Sequence, residues 1–168
     1  MKTLRTLISL FALLILSATL AACRSGHAPS SHTQMVVPGN LDTSTTRKSD
    51  NGLFRATITP SVDPVPVNQI HTWTLHVETA DGQPVPGAKI TLDGRMPQHS
   101  HGLPTKPEVT RDLGNGDYLV EGMKFQMSGW WVVSFQITAN GQSDSVTFNL
   151  MLLCCKDREG TRDTVSDG

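Results

Sequence analysis

The chain has 168 residues, of which 38% are hydrophobic, 17% charged and 5% aromatic, and its formal net charge is −1. A balance of 14 basic against 15 acidic residues, with so few aromatics, excludes a basic nucleic-acid-binding face with interleaved rings.

The first segment, residues 1–22, carries two cations, Lys2 and Arg5, then an apolar run from Leu7 to Leu20 and the small residues Ala21 and Ala22. That order predicts a secretory signal, too short and wrongly flanked for a spanning helix. The ending Leu20-Ala21-Ala22-Cys23 resembles the bacterial lipobox. The resemblance implies cleavage before Cys23, acylation of that cysteine with palmitate-type chains, and anchoring to a membrane leaflet without crossing it. The expected location is the cell envelope, facing the periplasm or the exterior. Arg24 supplies no aspartate-type retention cue, and the choice of inner or outer membrane stays open. Loss of residues 1–22 takes two of the 14 cations and none of the 15 acids, which leaves a net charge near −3.

Residues 23–52 are dominated by Ser, Thr, Gly, Pro, Asn and charge. Such a segment buries too little apolar surface to offset chain entropy, so it is expected to be a disordered linker, with His27 and His32 as passive members.

From residue 53 to 153 the hydrophobic period is two. Phe54, Ala56 and Ile58 alternate with Arg55, Thr57 and Thr59; Trp73, Leu75 and Val77 alternate with Thr72, Thr74 and His76. Shorter runs follow at Ile90–Leu92 and Tyr118–Val120, then Trp131, Val133, Phe135 and Ile137, then Val146, Phe148 and Leu150. Alternation sends one set of side chains to a core and the other to water. Asp81-Gly82, Asp93-Gly94, Gly114-Asn115-Gly116 and Asn140-Gly141 separate these runs with turn chemistry. No segment after the signal holds a helical period. The pattern predicts one all-β domain, an immunoglobulin-like antiparallel β-sandwich of about six or seven strands.

Several motifs, taken in order, resemble one family. They are Thr74-Leu75-His76-Val77, Asp81-Gly82-Gln83-Pro84-Val85-Pro86-Gly87-Ala88, Met96-Pro97 with His99 and His101-Gly102, Gly116-Asp117-Tyr118, and Phe125-Gln126-Met127-Ser128-Gly129-Trp130. Together they are similar to the YtkA-like domain, itself related to the FixH family. The resemblance implies a small extracytoplasmic β-sandwich, often lipidated, with no established enzymatic activity. The FixH relatives are associated with assembly of a copper-containing oxidase.

The stretch Met96-Pro97-Gln98-His99-Ser100-His101-Gly102 places two of the six histidines one residue apart, beside a methionine. Met123 and Met127 flank Phe125 further on. If the two loops adjoin, Met96, His99, His101, Met123 and Met127 form a candidate ligand set. Thioether and imidazole suit Cu(I), and the lack of a nearby carboxylate cluster disfavours calcium or magnesium. The competing reading is structural: methionines fill irregular gaps at one end of a sandwich, and the two histidines only hydrogen-bond or meet water. His71 and His76 read as polar groups of the sheet and not as ligands.

Trp73 is expected in the core, and Trp130 and Trp131 on opposite faces, one of them outside it unless a bulge intervenes. Tyr118 is expected to tie a loop to a strand through its hydroxyl. Residues 154–168 read as a disordered tail, opened by the pair Cys154-Cys155, which offers a vicinal disulfide, a cross-link or soft-metal thiolates. No serine sits in a Gly-x-Ser-x-Gly elbow and no phosphate-cradling loop precedes a helix, so no enzyme is expected. Two functions remain: a lipid-anchored module that binds or delivers Cu(I), and a metal-free structural or assembly module that contacts another envelope protein.

Overall fold

The computed structural model describes residues 36–153. The signal segment 1–22, Cys23, His27, His32, Cys154, Cys155 and the tail 154–168 lie outside the described residues. Every regular element described is a strand: β1 (Thr46–Lys48), β2 (Phe54–Pro60), β3 (His71–Thr79), β4 (Lys89–Met96), β5 (His101–Gly102), β6 (Glu108–Gly114), β7 (Asp117–Met123), β8 (Gly129–Ala139) and β9 (Gln142–Leu152). They form two antiparallel sheets, β1-β2-β3-β7-β6 and β5-β4-β8-β9. The expected all-β sandwich is therefore present. No helix among the described residues is long and apolar enough to cross a membrane.

Alternation explains the core directly. Phe54, Ala56, Ile58, Trp73, Leu75 and Val77 are buried from one sheet, and Trp131, Val133, Phe135, Ile137, Val146 and Phe148 from the other. Their polar neighbours along each strand face outward, which is the geometry a pleated strand imposes. Asn140 and Gly141 both take positive φ, 52° and 74°, between Ala139 and Gln142, the paired ends of the long β8–β9 hairpin. That is the turn chemistry the Asn-Gly dipeptide predicts. Tyr118 is buried, donates its hydroxyl to the Val85 carbonyl at 2.6 Å and accepts from the Ala88 amide at 2.8 Å, so it fixes the 84–88 turn against β7 as expected.

Three features differ from the sequence expectation. Nine strands are present among the described residues, because β1, β5 and β6 are short or mostly exposed and carry no readable alternation. The linker expected over 23–52 joins the fold before its end: Thr46, Arg47 and Lys48 pair with Thr57, Ala56 and Arg55. Backbone pairing needs no apolar side chain, so composition does not reveal it. Finally, Trp130 and Trp131 do leave opposite faces of β8, yet both are buried. Trp130 donates its indole N–H to Asn149 Oδ1 at 3.0 Å, and Asn149 in turn donates to the Asp42 carbonyl at 3.0 Å, so the segment before β1 reaches over this outer face.

Asp144 anchors the same N-terminal segment. Its carboxylate accepts from the Asn51 amide at 3.0 Å, the Asn51 side chain at 2.9 Å, the Leu53 amide at 3.3 Å and the Ser145 amide at 2.9 Å. Burial raises the pKa of this carboxyl, but the hydrogen bonds outweigh it and hold the value at about 2, below the ordinary 3.8. A depressed folded pKa gives stability that is complete above 3.8 and is lost as pH falls toward 2. Asp144→Ala is expected to lower the unfolding free energy by roughly 3 kcal/mol at neutral pH, since several N–H groups lose their acceptor. Urea unfolding across the pH range checks this: the variant should also lose less stability on acidification than the parent.

Candidate metal centre

The residues of interest gather at one end of the sandwich. Met96 ends β4, and the neighbouring Arg95 pairs with Val132, near the beginning of β8. Met123 ends β7, and the segment from 124 to 128 crosses from the five-stranded to the four-stranded sheet to begin β8 at Gly129. His71 opens β3 and pairs with Met123.

The Met96–Gly102 stretch is a tight hairpin. Met96 opposes His101 and Arg95 opposes Gly102, and the His99 amide closes the tip on the Met96 carbonyl at 3.1 Å. Ser100 takes φ 52°, which turns the chain back. Met96 turns into the core and is only 2% exposed, whereas His99 and His101 are exposed at the tip. The two imidazoles stack with centroids 6.0 Å apart and planes 13° from parallel.

The two loops do adjoin. Gln126 donates its side-chain amide to the Gly102 carbonyl at 3.1 Å. Met96 Cε reaches Gly129 so closely that a Cβ built there would stand 2.6 Å from it. Met123 is fully buried, and Met127 is half-buried against the core, its carbonyl accepting from the Trp131 indole at 3.0 Å. The five candidate ligands thus share an end of the fold but are layered: Met96 and Met123 within the packing, Met127 at its margin, His99 and His101 outside. Among the described residues no three His, Cys, Asp or Glu side chains gather where they could hold a metal ion.

His71 was read from sequence as a sheet polar group, and its environment is more unusual than that. It is buried at 6% exposure, in the same row as Trp73, and its ring lies 5.8 Å from Phe125 and 6.3 Å from Trp73. Its Nδ1 meets the Gln69 carbonyl at 3.1 Å, while its Nε2 is buried without a partner. Burial pulls the His71 pKa below its ordinary 6.5, against a smaller upward effect of the Gln69 carbonyl. The signal was legible in part, since His71 shares the parity of Trp73; nothing in the sequence told that the ring is sealed from water. His76, of opposite parity, sits on the outer face and bonds Asp117 Oδ1 at 2.6 Å, as a polar sheet residue does.

Comparison with solved structures gives a likeness to the "ZirS C-terminal Domain", with a TM-score of 0.36 and 16% identity, covering 79% of this chain and 88% of that one. No curated protein matches the chain in sequence. The YtkA-like family matches residues 53–136, a span that runs from the start of β2 into β8 and contains the hairpin, the crossing segment and His71. With half of its length so matched, the chain belongs to the YtkA-like family.

Proposed function

We propose that this protein is a lipid-anchored binding module of the cell envelope that takes up Cu(I) at the hairpin end of its sandwich and has no enzymatic role. One observation carries the reading: the exposed, stacked His99 and His101 rings stand over a hairpin whose base places Met96 opposite His101. Two imidazoles and a thioether are soft-to-borderline donors, the class that suits Cu(I) over hard cations. The anchor follows from Leu20-Ala21-Ala22-Cys23, and such tethering would hold the metal-capturing tip near the membrane surface.

The unit Gln34–Gly168 holds the whole core and omits Cys23, and with Cys154→Ser and Cys155→Ser to remove the tail thiols it is the form to titrate. Against a chromogenic Cu(I) chelator under reducing conditions, it should withdraw Cu(I), and His99→Ala with His101→Ala should weaken the exposed site at least tenfold. Binding no better than a denatured control, or equal binding by the double variant, would remove the proposal.

A second reading has its own support. An open groove of about 590 Å³ lies between the end of β2, the 63–65 turn and the end of β9, with Ile58, Pro60, Val65 and Leu152 among its walls. Met151 and Leu153 beside it are 40% and 54% exposed. This apolar rim suits contact with another envelope protein, the role of a metal-free assembly module. Trp130, the indole on the outer face of β8, does not serve that role because it is buried.

A further inference from the structure

We propose that His71 and Met123 form a second, interior site for a soft monovalent cation of the Cu(I) class, distinct from the exposed histidine pair. A carbonyl oxygen only accepts, so Nδ1 of His71, 3.1 Å from the Gln69 carbonyl, carries the ring proton. The lone pair is then on Nε2, which is buried and has no hydrogen-bond partner. An imidazole with one nitrogen fixed by a carbonyl and the lone pair of the other left free is the form that ligates metals.

Met123 supplies the complementary donor. β7 places Tyr118 and Val120 on the core face, so strict alternation would next bring in Gly122 and turn Met123 outward. A register shift between the His71 and Trp73 pairings interrupts that alternation, with Gly122 at φ 81°. The irregularity rotates Met123 into the core and sets it opposite His71. Irregular pairing that re-aims one side chain recurs beside functional sites. Directly opposed residues have Cβ atoms about 5 Å apart, a spacing that lets a nitrogen and a sulfur approach one ion at bond lengths of about 2 Å.

The surroundings suit a cation of low charge density. Phe125 and Trp73 flank the His71 ring, with the Trp73 and Phe125 centroids 6.0 Å apart, and no carboxylate is among the buried groups at this end. A hard, strongly hydrated ion would lose its water here without oxygen ligands in return. A soft ion loses little and gains imidazole and thioether donors. The bland alternative is an ordered water that donates to His71 Nε2 and accepts from Trp73 Nε1, which is also buried without a partner.

Met123→Leu separates the two, because leucine keeps the volume and removes only the sulfur donor. The protein to use is Gln34–Gly168 carrying His99→Ala, His101→Ala, Cys154→Ser and Cys155→Ser, so that neither the outer pair nor the tail thiols contribute. Titrated with Cu(I) against a chromogenic chelator, and with Ag(I) as a redox-inert substitute, it should still bind one ion per chain. Ag(I) should also move the nitrogen NMR signal of His71 Nε2 away from that of a free lone pair. Adding Met123→Leu should weaken binding at least tenfold, with the circular dichroism spectrum unchanged, and His71→Gln should do the same if it folds. Equal binding with and without the Met123 sulfur, or an unmoved His71 signal, would overturn the interior site in favour of the bound water. These outcomes do not depend on the exposed pair, so failure of either site is recognised separately.

Discussion

Replacing Gly116 with alanine is expected to lower the stability of the domain by about 4 kcal/mol, a large part of the total for a domain of this size. Gly116 has φ 78°, where an L-residue carries strain of about 1–3 kcal/mol. Its environment adds to that. A Cβ there would lie 2.5 Å from the Val77 carbonyl oxygen, 3.1 Å from the Val85 amide nitrogen and 3.3 Å from Pro84 Cβ. Two of these are backbone atoms in a shared hydrogen-bond knot: Val77 donates to the Gly116 carbonyl at 2.8 Å, and Val85 donates to the Val77 carbonyl at 3.0 Å. Relief of the clash must therefore break pairing between β3, β7 and the 84–88 turn. Gly141 is the control, since its φ is 74° but nothing stands within 4 Å of its added Cβ. Gly141→Ala should cost about 1 kcal/mol, the strain alone. Urea unfolding followed by tryptophan fluorescence compares the two, and similar losses would show that close approach at Gly116 contributes nothing.

Trp131→Ala should be nearly as damaging, at about 4 kcal/mol, or a fall in melting temperature of about 20 °C for a domain of about 100 residues. Trp131 is fully buried, packs edge-on against Phe125 with centroids 5.2 Å apart, and holds the Met127 carbonyl through its indole N–H. It is the joint between the core and the segment that carries Met123, Phe125 and Met127. Trp131→Phe keeps much of the ring and drops the donor, so its loss should be smaller, nearer 2 kcal/mol once the unpaired carbonyl is counted. Thermal unfolding by circular dichroism gives both values. A phenylalanine variant as unstable as the alanine one would mean that indole shape, and not ring burial, governs the joint.

The strand runs from Phe54 to Leu150 were legible because a pleated strand with one buried face must alternate, and Asn140-Gly141 was legible because its turn requires two positive φ values. Tyr118 was legible in the same way, as a phenol following a glycine-rich turn. The short strand β1 was not, since Thr46, Arg47 and Lys48 are held by main-chain bonds that leave no hydrophobic mark. The proximity of the hairpin to the crossing segment was expected only conditionally, and the Gln126 bond to Gly102 joins them through a side chain with no sequence signal.

Sequence by itself determined the all-strand class, the inward rows of the main strands and the residue types available as soft donors, because these follow from local chemistry and a period of two, while the family showed in the resemblance of its motifs. Tertiary structure alone decided how those donors are layered. Burial depends on which strands lie opposite, and the register shift beside Gly122, which sets Met123 opposite His71, exists only once β3 and β7 have paired.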